Sequence, residues 1–136
     1  MPAAMSDVRA GLAAALGTIT GLRVNTNATD DPVPPCAILS MNTLTFDSTL
    51  ARGADEMEWT VTLIVGRADD RAAMQRLETW MAGTGSSSVK AAIEADTTLG
   101  GRVLMARVAE IRNIGSVDRG DGTSMLVADC IVTIYA

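Results

Sequence analysis

The run Glu56-Met57-Glu58-Trp59-Thr60-Val61-Thr62-Leu63-Ile64-Val65-Gly66 decides the fold class. Met57, Trp59, Val61, Leu63 and Val65 fall on one side of a period of two, and Glu58, Thr60, Thr62 and Ile64 on the other. That is the signature of a strand with one face buried. Its β-branched residues suit a pleated surface. Directly after it, Ala73, Leu77, Trp80 and Met81 recur at helical spacing, while Arg71, Gln75, Arg76 and Glu78 take the opposite side. The period switches from strand to helix, with the helix starting at Asp69 or Asp70 and running to about Ala82.

Outward from this unit the other elements follow. Ser6 reads as an N-cap, with Val8, Leu12, Ala15, Leu16 and Ile19 as the stripe of a helix ending near Gly17. A short strand is expected over Leu22–Asn25. Asp30 to Pro35 is an extended loop in which Pro32, Pro34 and Pro35 bar a helix. Cys36–Met41 and Thr43–Asp47 read as strands. Gly83 to Ser87 is a break, and Ser87 or Ser88 caps a short helix through about Ala95, with Val89, Ala92 and Ile93 inward. Arg102–Ile114 reads as a bulged strand and Gly115–Thr123 as a loop. Ser124–Tyr135 is the last strand, with Leu126, Ala128, Cys130, Val132 and Ile134 on one face. The expected fold is α+β. It has an antiparallel or mixed sheet of about four to five strands, with an N-terminal helix and two further helices packed on one face. Length sets one domain over residues 1–136.

Composition narrows the function. The chain has no histidine, so a Ser-His-Asp or Cys-His centre is excluded within it. Cys36 and Cys130 are too few and too far apart in sequence for a structural zinc site, and read as buried thiols. Gly115 to Gly122 alternates Asp and Gly but lacks the terminal Glu of a calcium loop, so a hairpin tip is the better reading. Gly83-Thr84-Gly85 has no Lys-Ser or Lys-Thr partner to complete a phosphate loop. Asp69 and Asp70, which could pair with Glu56 or Glu58 as acid and base, fit a helix N-terminus without further purpose. Trp59 and Trp80 read as core. The expectation is a protein with no catalytic residue, no cofactor and no metal. A net charge of −5 opposes a grip on nucleic acid. The N-terminus lacks a basic region leading into an apolar run, and no apolar stretch reaches membrane-spanning length.

Several local strings carry a resemblance. They are Val8-Arg9-Ala10-Gly11-Leu12-Ala13 in the first helix, the Pro34-Pro35 entry to a strand, the run from Val61 to Arg71, and the run from Gly85 to Gly101. With them, and in the order of its elements, the chain resembles the tail terminators, or tail completion proteins, of long-tailed bacteriophages. The similarity is strongest to those of actinobacterial phages, and it spans most of the sequence. It implies a homo-oligomeric ring, usually a hexamer, seated on the last ring of the tail tube protein. Such a ring ends tube growth and meets the head-tail connector, and genomic DNA passes through its lumen without being read. It implies location in the tail or neck of a virion assembled in the host cytoplasm, with no membrane partner. Six copies would carry roughly −30, and like charge on a lumen keeps DNA from adhering.

The family offers no catalytic motif to transfer, so contact residues rest on the sequence itself. In Asn42–Asp55, Phe46 and Leu50 are apolar residues in a polar stretch, next to Arg52. They would dock on a neighbouring subunit, or fold over their own domain. Asp118, Arg119 and Asp121 at the hairpin tip are the second candidate, for the lumen or the tube. Two other readings remain open: a head-tail connector or stopper of the phage neck, and a small-ligand binding module, which the scarcity of aromatic residues opposes.

Overall fold

A computed structural model describes residues 5–19, 22–25, 35–46, 55–67, 71–85, 87–118 and 124–135. Its elements are α1 (Met5–Leu16), β1 (Arg23–Asn25), β2 (Cys36–Thr45), β3 (Glu56–Arg67), α2 (Arg71–Met81), α3 (Val89–Glu94), β4 (Met105–Asp118) and β5 (Ser124–Tyr135). The strands form one sheet in the order β1-β2-β3-β5-β4. β1 runs parallel to β2, and the other neighbours are antiparallel. The fold is α+β, with a mixed five-stranded sheet carrying its helices on one face.

The alternation of β3 and β5 sets this layering. Met57, Trp59, Val61, Leu63 and Val65 are buried, as are Leu126, Ala128, Cys130, Val132 and Ile134 on β5. They join one core with Val8, Leu12 and Leu16 of α1, Ala73, Leu77 and Trp80 of α2, and Val89 and Ile93 of α3. The Arg9 guanidinium lies 5.6 Å from the Trp59 ring centroid, a cation–π contact that pins α1 to β3. Burial of these apolar surfaces is the main force holding helices to sheet.

Several boundaries differ from the sequence reading. α1 starts at Met5, so Ser6 lies in its first turn rather than ahead of it. Ile19 lies beyond the helix, yet a turn donating its amide to Leu16 O buries it. The two strands expected between Cys36 and Asp47 are one, β2, interrupted by a bulge at Asn42. Asp69 and Asp70 lie outside the described residues, and α2 is described from Arg71. Ser88 caps α3 as expected, its Oγ accepting the Ala91 amide at 3.0 Å.

β4 departs most. It starts at Met105 because Leu99, Gly100 and Gly101 all adopt positive φ and turn the chain first. It continues to Asp118, through residues expected in a loop, because Gly115–Asp118 pair with Ser124–Val127. Bulges at Ala109 and at Asn113-Ile114 reset its alternation twice.

Candidate assembly surfaces

The sheet face away from the helices is bare of secondary structure among the described residues, and it is polar over most of its area. Register places its side chains in rows. Thr45, Glu56, Tyr135 and Met105 form the first; Thr43, Glu58, Thr133 and Arg107 the second. Ser40, Thr60, Ile131 and Glu110 follow, then Ile38, Thr62, Asp129 and Arg112. Beyond these the face turns apolar, with Cys36, Ile64 and Val127, then Met125 and Val117. Among the described side chains it carries four acids, Glu56, Glu58, Glu110 and Asp129, against three arginines, Arg23, Arg107 and Arg112.

At its middle is a shallow polar depression of about 430 Å³, lined by Ser40, Asn42, Thr60, Arg112, Asn113 and Asp129 among others. Asp129 accepts from Thr62 Oγ1 at 3.0 Å and from Asn113 Nδ2 at 2.9 Å. Asn42 donates to Thr60 Oγ1. Arg112 lies 3.7 Å from both Glu58 and Glu110. The polar groups thus satisfy one another on a water-facing surface. Nothing in the cluster is arranged as a nucleophile with its base, and among the described residues no three Cys, Asp or Glu side chains are grouped to hold a metal ion.

Glu56 and Glu58, the candidate acid–base partners of Asp69 and Asp70, are engaged by Tyr135 Oη at 3.3 Å and by Arg112. Gly85 has φ 109° with open space around it, and no strand leads into its loop. Among the described residues no helix is long and apolar enough to cross a membrane.

Of the contact residues expected from sequence, Phe46 stands immediately after β2 and is 69% exposed, the most exposed large apolar side chain described. Asp118 ends β4, opposite Ser124. Leu50, Arg52, Arg119 and Asp121 lie outside the described residues. Phe46 and Asp118 are not brought together. Thr45 shares the first row with Glu56 and Tyr135, whereas Asp118 and Ser124 lie past the Arg67–Met125 pair at the other end of β3. The two candidate segments occupy opposite ends of the sheet, about 30–40 Å apart at the usual rise per residue of a strand.

Sequence reasoning missed the exposed apolar side chains of β4. Ile114 is 53% exposed, Val117 54% and Met105 44%, and Leu104 just before the strand is 63% exposed. Their alternation is broken by the bulges, so no periodic signal marks them as surface. No protein-family profile and no curated protein sequence matches the chain.

Proposed function

We propose that this chain is a structural virion protein that forms a ring, of six copies in the family it resembles, at the end of a phage tail tube. There it stops tube growth and joins the tail to the head-side connector. The observation that carries the reading is the placement of Phe46 and Asp118 at opposite ends of one sheet whose bare face is polar over most of its area and, among its described side chains, acidic by one charge. A subunit standing between a tube and a connector needs one contact at each end. The bare face then forms the lumen wall, where four carboxylates against three arginines among the described side chains leave an acidic balance that disfavours adhesion of DNA phosphates. The helices form the outside of the ring.

The test is the mass of the purified chain by light scattering, together with tube growth in its presence. The expected results are a mass of about six chains and shortened tubes when the ring protein is added to polymerising tube protein. Phe46→Ser should leave a folded chain that no longer assembles. A lumen found to be basic, or a chain that neither assembles nor alters tube length, overturns the reading. A ring that joins connectors to one another without affecting tubes would place the protein in the neck as a stopper instead.

A further inference from the structure

Phe46 differs from the other aromatic residues of the chain. Trp59 and Trp80 are buried and Tyr135 is half-buried, whereas Phe46, the sole phenylalanine, is mostly exposed. Aromatic rings carry a large share of the contact energy at protein interfaces. The same molecule holds an apolar groove of about 260 Å³ between α1 and α3. Gly11, Ala14 and Ala15 line it from α1, Ala92 and Ala95 from α3 and its C-cap, and Leu99 from the turn that follows. These side chains are too small to fill the space between the two helices. A cavity of about 150 Å³ accepts a benzene ring, so the groove has room for a phenyl group.

We propose that Phe46 of one copy inserts into the α1–α3 groove of the next. The occupant is thus a second copy of this chain, placed head to tail. The inference rests on the ring reading, because a contact between two different surfaces ends only when its repetition closes around an axis.

Three observations select this occupant. First, knob and groove lie toward opposite edges of the fold. Phe46 follows β2, on the β1–β2 side of the sheet. α3 and its turn run along β4, the last strand on the other side. There Glu94 Oε2 accepts the Val108 amide at 2.9 Å and Thr97 O accepts the Ala106 amide at 2.7 Å. Every copy can therefore give its knob to one neighbour and its groove to another. A Phe46–Phe46 contact would instead join two copies and stop.

Second, the charges at the two margins are opposite. Asp55 and Glu56 stand beside Phe46, Glu56 as the partner of Thr45 in the β2–β3 register. Arg102 is exposed on the rim of the groove, its Nη1 donating to Leu99 O at 3.0 Å. The acid on the same rim, Asp96, is already engaged. It accepts the Thr98 and Gly100 amides at 3.0 Å and the Thr98 hydroxyl at 2.6 Å. An acidic margin around the knob thus meets a basic margin on the groove, which fixes orientation as well as affinity.

Third, the end of the sheet near Phe46 keeps other apolar groups for a contact along the axis. Leu104 and Met105 are exposed there, and Met105 shares the first row with Thr45, Glu56 and Tyr135. Phe46 is then free to serve the sideways contact.

The test is the mass, by light scattering, of two variants of the full chain, alone and mixed. Phe46→Ser removes the knob and keeps the groove. Ala14→Trp, at an exposed helix position, fills the groove and keeps the knob. Each alone should have the mass of one chain, with the circular dichroism spectrum of the parent. Mixed in equal amounts they should reach the mass of two chains, because one knob and one groove between them remain usable. Met74→Trp, an equally bulky change at an exposed site on α2, should keep the ring mass of the parent. If Ala14→Trp also keeps the ring mass, or if the mixture stays at one chain while the parent forms rings, the knob-in-groove contact is wrong and the ring stands. A parent mass of one or two chains overturns both.

Discussion

Gly11 of α1 lies beneath Leu99, so close that a Cβ added at Gly11 would stand 2.9 Å from the Leu99 Cβ and 3.3 Å from its carbonyl oxygen. Leu99 is buried and held at φ 50°, a conformation that costs a residue with a Cβ about 1–2 kcal/mol. The turn before β4 is thus seated directly on the helix. In an exposed helix interior, Gly→Ala would stabilise by about 1 kcal/mol. Here the added methyl must push back a backbone turn, and overpacking of this kind costs about 1–3 kcal/mol. Gly11→Ala is expected to lower the denaturant midpoint of the purified chain. A midpoint raised by the substitution would show that the turn yields freely.

Glu94 of α3, whose Oε2 accepts the Val108 amide of β4 at 2.9 Å, makes a pH-dependent contribution. Burial alone would raise the Glu94 carboxyl. The hydrogen bond from Lys90, the amide of Val108 and the charges of Lys90 and Arg107 together outweigh it and hold the group below its ordinary value of 4.5. A carboxyl lowered in the folded state stabilises above its unfolded value and loses that contribution as pH falls through the folded one. The stability of the parent chain should therefore decline below about pH 4.5 more steeply than that of Glu94→Gln, as measured by urea unfolding across the acid range. Glu94→Ala leaves the Val108 amide without its acceptor and should cost about 1–3 kcal/mol at neutral pH.

The two cysteines cannot form a bridge. Cys36 pairs with Ile64 on the bare face, whereas Cys130 pairs with Val61 on the helix face, with β3 between them. Burial pushes both thiols up. The Arg23 charge partly offsets this at Cys36, and the Asp129 charge adds to it at Cys130, which reaches about 12. Only thiolates alkylate readily, so a maleimide at about pH 8 should label neither site in the native chain and both in urea, read by intact mass. Because the thiols are raised in the folded state, their contribution to stability is complete below about pH 9 and declines as pH rises toward 12.

What the sequence made legible was decided by burial symmetry. β3 and β5 are interior strands with one buried face, so Trp59 to Val65 and Leu126 to Ile134 alternate cleanly and gave their bounds almost to the residue. The stripe of α2 and the Ser88 cap were readable for the same reason, because each is a local rule with one strong outcome. β4 is an edge strand. Only Ala106, Val108 and Ile111 pack toward the helices, two before the first bulge and one between the two bulges, and Gly115–Asp118 carry no pattern, so their pairing depends on β5 alone. The parallel contact of β1 rests on three residues that β2 selects. Phe46 was found because an aromatic residue in a polar stretch has no local partner. The polar depression was not, because Asn42, Thr60, Arg112 and Asp129 come from four strands and two of them stand at or near bulges.

Asn113 joins that depression to the edge and separates backbone from side-chain effects. It lies at φ 56°, and its amide donates to Asp129 Oδ2 at 2.9 Å. Asn tolerates this left-handed conformation better than most residues, and Gly best of all. Asn113→Gly should therefore keep the bulge and lose only the exposed hydrogen bond, a change within about 0.5 kcal/mol. Asn113→Val, with a β-branched side chain in the same conformation, should cost about 1–2 kcal/mol. It should also straighten the strand locally, shifting the amide resonances of Arg112, Ile114 and Ala128 in NMR spectra.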